Sequence, residues 1–111
     1  MATTKDDLAL RLLKKLGVVG AGQPATAADL ELAGEKIVSV HSFLVSQGKA
    51  RWTLNDVPGF ADEGYLLMGS ALAAPEFGAP VDPGAWQGGM RMICAGAALG
   101  PSSDVIAAEY F

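Results

Sequence analysis

Lys5-Asp6-Asp7-Leu8-Ala9-Leu10-Arg11-Leu12-Leu13-Lys14-Lys15-Leu16-Gly17 is the stretch that decides the class of the fold. Leu8, Leu12, Leu13 and Leu16 fall on one stripe at helical spacing, while Lys5, Arg11, Lys14 and Lys15 lie mostly away from it. Thr4 stands where a helix cap belongs, and Asp7 follows at the position of its acidic partner. Aspartates at the start and lysines at the end match the helix dipole, and Gly17 supplies the stop. These signals predict an amphipathic helix, the first of an all-α domain.

Working outward, Gly17 to Pro24 is a loop by its breakers. A second helix is expected from Thr26, with Asp29 in its first turn, through Leu30, Ala33, Ile37, Val40 or His41 and Leu44 to Gln47, stopped by Gly48. Val38 and Val45 widen its apolar face, which predicts neighbours on more than one side. Ala50-Arg51-Trp52-Thr53-Leu54 alternates apolar and polar residues before an Asn55-Asp56 turn signal, so a short extended segment or half of a β-hairpin is expected between helices 2 and 3. The third helix is expected to open at Pro58, with Asp56 a candidate cap, and to carry Phe60, Tyr65, Leu66, Leu67, Met68 and Leu72. The fourth is expected to be capped by Asp82, with Pro83 as its first residue, and to carry Trp86, Met90 and Ile93. It should end at Gly100-Pro101. The expectation is thus about four helices over residues 1–100 and an extended C-terminal tail over 101–111.

The 111 residues amount to one domain, and half of them are hydrophobic, although Ala and Gly supply much of that share. Gly64, Gly69, Gly88, Gly89 and Gly96 fall inside the third and fourth helices, where each costs about 1 kcal/mol relative to Ala. Close helix approach, short broken helices, or completion by assembly would each answer that cost. A formal charge of −4 leaves no basic footprint for generic DNA binding. The pairs Lys14-Lys15 and Lys49-Ala50-Arg51 read as solvated helix ends. No signal peptide or run long enough to span a membrane is present, which predicts a soluble protein made in the cytoplasm.

Catalytic chemistry finds little support. His41 is the sole histidine and falls on an apolar face without a convincing acidic partner, so it reads as structural, half-buried and hydrogen-bonded. Cys94, the sole cysteine, rules out an internal disulfide and sits on a helix with no cationic neighbour nearer than Arg91, so it reads as a small core residue. Asp6, Asp7, Asp29, Asp62 and Glu63 read as helix N-terminal carboxylates. No calcium-loop or zinc spacing can be found, and Gly17-x-x-Gly20-x-Gly22 lacks the Gly-Lys-Ser/Thr ending of a phosphate loop. The expectation is therefore a non-enzyme with no cofactor and no metal. Trp52 and Trp86 are the large aromatics that decide packing or contact. Val105, Ile106, Tyr110 and Phe111 lie in a stretch too short to build a core of its own, and large apolar residues there imply a groove on this domain or on a neighbour.

Four motifs in succession carry a resemblance: residues 5 to 18, Trp52-Thr-Leu-Asn-Asp-Val-Pro58, Leu72-Ala-Ala-Pro-Glu-Phe-Gly78 and the Glu109-Tyr-Phe ending. In this order they resemble the head-to-tail connector proteins of tailed bacteriophages, of the adaptor or head-completion type. The resemblance implies a largely helical subunit that assembles as a ring, commonly a dodecamer, beneath the portal protein. Such a ring extends the DNA channel and offers a platform to the next tail component, whether stopper, tail tube or nozzle. It implies a place in the virion, with DNA only passing through the lumen. Portal docking falls to Val105, Ile106, Tyr110 and Phe111, and a subunit or tail-side interface to Trp52 and Leu54. Gln87-Gly-Gly-Met-Arg-Met-Ile-Cys-Ala-Gly96 departs from the charged, Ala-rich helix expected there. The alternatives are a small helical protein-binding or regulatory module and, further off, a small enzyme using His41 or Cys94.

Overall fold

The structure, a computed structural model, describes residues 3–20 and 25–98. Among them the fold is all-α, with helices α1 (Lys5–Lys15), α2 (Ala27–Ser46), α3 (Asp62–Ala73) and α4 (Ala85–Ala98). The expected caps hold the first two helices. The Thr4 hydroxyl accepts from the Asp7 amide at 3.2 Å, and the Thr26 hydroxyl accepts from the Asp29 amide at 3.2 Å. Gly17 and Gly48 end these helices with φ of 78° and 71°, in the left-handed region that a side chain resists.

Helix α3 lies at the centre, packed on α1, α2 and α4. Leu8, Leu12 and Leu13 of α1 meet Ile37, Val40 and Leu44 of α2 and Tyr65 and Met68 of α3 in one fully buried cluster. The α1 stripe read from the sequence is therefore the core face, with Leu16 partly buried at its end. Helix α2 does find two neighbours, α1 and α3, yet Val38 and Val45 stay at the surface.

Between α2 and α3 no hairpin forms. Leu54–Asp56 make a 3-10 turn, and Val57 pairs instead with Thr3 in a single antiparallel bridge. The Thr3 amide donates to Val57 O at 2.9 Å and the Val57 amide to Thr3 O at 3.1 Å. The alternating run Ala50 to Leu54 itself pairs with no strand among the described residues, and the one extended contact falls after it, at Val57. Asp56 lies within that turn and caps no helix. Pro58 does not open α3. It is extended, and Gly59–Ala61 form a further 3-10 turn that carries Phe60 before α3 begins at Asp62. Asp82 does not cap α4 and Pro83 does not open it: the Asp82 carboxylate accepts from the Gly84 amide at 3.0 Å, which holds Pro83 and Gly84 in a turn, and α4 starts at Ala85.

Gly64 and Gly89 answer the cost set against them, while Gly88 has room for a side chain. A Cβ on Gly89 would lie 2.6 Å from Gly64 O and 2.6 Å from Met68 Cγ. One on Gly64 would lie 2.9 Å from Gly89 O and collide with the Ile93 side chain. The two helices therefore touch backbone to backbone at this crossing, and both run unbroken through it. Close approach, not fragmentation, is what the small residues serve. No described helix is long and apolar enough to cross a membrane.

Candidate functional site

The segment between α2 and α3 is a strap fixed at three levels. At its base the Thr3–Val57 bridge joins it to the entry of α1, and Asn55 Oδ1 accepts from the Lys5 amide at 3.1 Å. Asp62 secures the same corner: Oδ2 accepts from the Thr3 hydroxyl at 2.8 Å and from Arg11 at 3.2 Å. Its other oxygen, Oδ1, is buried without a partner. At the top, Trp52 is half-buried, with its indole edge against Phe60 at 5.6 Å between ring centroids.

The third level is a hydrogen-bonded chain from strap to α3 to α2. Trp52 Nε1 donates to the Tyr65 hydroxyl at 2.9 Å, and that hydroxyl lies 2.8 Å from His41 Nδ1. An indole N–H can only donate, so the phenol oxygen accepts from Trp52, and the tautomer of His41 sets the direction of the second bond. Burial pushes the Tyr65 phenol up to about 12, with the Trp52 bond pulling the other way. Desolvation holds His41 below 6.5. A phenol that stays protonated and an imidazole nitrogen already occupied form a structural joint. His41 is thus half-buried and hydrogen-bonded, as its place on the helix implied.

The residues expected to bear function are scattered among different settings. Leu54 is half-buried against the core, and Trp52 has given its N–H to Tyr65, so both are tied inward as well as reaching the surface. Cys94 is a half-buried free thiol on α4. Trp86 packs edge-on to Phe43 of α2 at 5.1 Å, joining α4 to α2. Val105, Ile106, Tyr110 and Phe111, with the whole 101–111 tail, lie outside the described residues, as does the expected helix end at Gly100-Pro101. No cluster of three or more His, Cys, Asp or Glu side chains able to hold a metal occurs among the described residues.

Sequence reading missed the hub. Tyr65 appeared only as one apolar position of a helix, and neither Thr3 nor Asp62 carried a signal of their long-range bond. Large apolar side chains remain at the surface: Val38, Val45, Phe60, Val81 and Met92 are between 40% and 50% exposed. Of these, the two α2 valines were expected to meet a neighbour, and both stay at the surface. No protein-family profile matches the chain, and comparisons with curated proteins and with solved structures find no significant similarity.

Proposed function

We propose that this chain is a non-enzymatic ring subunit of a tailed-phage head-to-tail connector, sitting between portal and tail and lining the DNA channel. The observation that carries the reading is the ordered succession of the four sequence motifs, which spans most of the chain. The described body is compatible with such a role. It is helical, its strap is anchored by internal bonds, and apolar side chains stand at its surface where a neighbouring subunit could cover them. The acidic balance suits a conduit through which phosphates must slide rather than bind. In this reading Val105, Ile106, Tyr110 and Phe111 anchor on the portal, while Trp52 and Leu54 border a subunit or tail-side contact.

The test is cryo-electron microscopy of purified particles together with native mass spectrometry of the protein mixed with its portal. Density for the chain at the tail vertex and a ring-sized complex are expected. A protein absent from particles and monomeric beside portal would refute the proposal. Removal of residues 105–111 should abolish portal binding while the helical circular dichroism signal stays intact. Unchanged binding would remove the docking role from Tyr110 and Phe111.

A further inference from the structure

Two outward faces of this fold expose large apolar side chains, Val38 and Val45 on α2 and Met92 on α4. Helix α4 has one ionised residue, Arg91, in its 14 positions, yet it packs chiefly along α3, and Gln87, Arg91, Met92 and Ala95 are exposed. On α2, Glu31, Glu35, Val38, Ser42 and Val45 are all exposed and share one face of the helix. The acidic end of that face borders an open cleft of about 440 Å³. Glu31, Glu35 and Val38 line the cleft with Lys5, so it holds two carboxylates against one ammonium. Arg91 forms no ion pair among the described residues.

These faces do not cover one another within a copy, because Val38 and Met92 are both exposed there. Nor does either suit itself. Two α2 faces would bring Glu31 and Glu35 against their own kind, and two α4 faces would oppose arginines. The charges match only when α2 of one copy meets α4 of another. We infer that a second copy of this chain docks by α4 on α2, with Arg91 entering the Glu31–Glu35 cleft and Met92 covering Val38. The contact is head-to-tail, so its repetition closes a ring or extends a filament. It rests on the ring reading above and names the surfaces that would build the ring.

The full chain carrying Arg91→Glu, Glu35→Arg, or both, is examined by sedimentation equilibrium, with thermal melts to confirm folding. Both positions are exposed, so the melts should match the parent. Each single reversal is expected to weaken self-association about tenfold or more, and the pair to recover it to within about threefold. Val38→Lys should weaken it in the same direction without rescue by Glu35→Arg. Reversals without effect, or a double variant as weak as the singles, would overturn the contact while leaving the ring reading intact. So would association restored by neither exchange but competed by a cationic peptide. A parent chain that remains monomeric up to about millimolar concentration overturns the contact outright. Absence from the tail vertex, read separately, overturns the connector reading.

Discussion

The two sides of α3 are held by different physics. Toward α1 and α2 the helix meets large side chains and a polar frame: a leucine-rich cluster, the Trp52–Tyr65–His41 chain and the Thr3–Asp62–Arg11 corner. Toward α4 it meets small residues at close range, and no side-chain hydrogen bond joins the two helices among the described residues. The first side tolerates small shifts because several independent bonds share the task. The second has contact distances with no slack, so its stability depends on shape alone. A polar frame fixes which segments meet, whereas a glycine crossing fixes how near they come.

The largest expected effect breaks the tight side. Gly89→Val places atoms against Gly64 O and Met68, and we expect a loss of about 3 kcal/mol in urea unfolding, despite the better helix propensity of valine. A neutral result would mean that the crossing is loose. Next, Tyr65→Phe tests the polar side, because it removes the partner of both the Trp52 indole N–H and His41 Nδ1. A loss of about 2 kcal/mol is expected, with a change in Trp fluorescence that Gly89→Val need not share. Stability within 0.5 kcal/mol of the parent, a rough threshold for surface changes, would make the chain incidental.

The pH dependence sharpens the same contrast. The unfolded chain has a histidine near 6.5 and the folded His41 lies below it, so the unfolded state binds more protons as pH drops. Stability should therefore be complete above about 6.5 and fall as the solution is acidified through the folded value. Tyr65 acts at the other extreme: unfolded tyrosine ionises near 10 while the folded phenol holds its proton to about 12, so stability falls as pH rises across that interval. Unfolding curves of the parent and of His41→Gln, collected from acid to alkaline, check both. An acid limb unchanged in His41→Gln would detach the effect from this histidine. The smallest effect belongs to the surface pair Lys15–Glu63 at 3.9 Å, where Lys15→Ala should change stability by less than about 0.5 kcal/mol.

Legibility in the sequence followed the range of the interaction. The caps of α1 and α2 were readable because Thr4 with Asp7 and Thr26 with Asp29 act within a single turn. The burial of Leu8, Leu12 and Leu13 was readable from periodicity. The starts of α3 and α4 were displaced because Pro58 and Pro83 are compatible with a helix start but equally with the extended or turn geometry they adopt. The strap forms no hairpin because alternation over five residues supplies no pairing partner, and the one bridge, Val57 to Thr3, lies outside the alternating run. Tyr65 with His41, 24 positions apart, leaves no local trace at all. The five interior glycines signalled an unusual packing need, but which of them faced another backbone depended on the crossing point of two helices.

The Thr3–Asp62 bond links positions 59 residues apart, and Arg11 reaches the same carboxylate across 51. On a ribosome those partners emerge seconds apart, since synthesis proceeds at about 5–20 residues per second. The α1–α2 hairpin can form while the rest is still being made, but its entry point stays unlatched until Asn55 and Val57, and then Asp62, have left the exit tunnel. The N-terminal corner is therefore the last part of the first half to close, and during that interval a nascent chain keeps α1 loosely moored. Pulse-labelled proteolysis of arrested chains should show protection of residues near Thr3 only once the sequence beyond Val57 is exposed, with a further gain beyond Asp62.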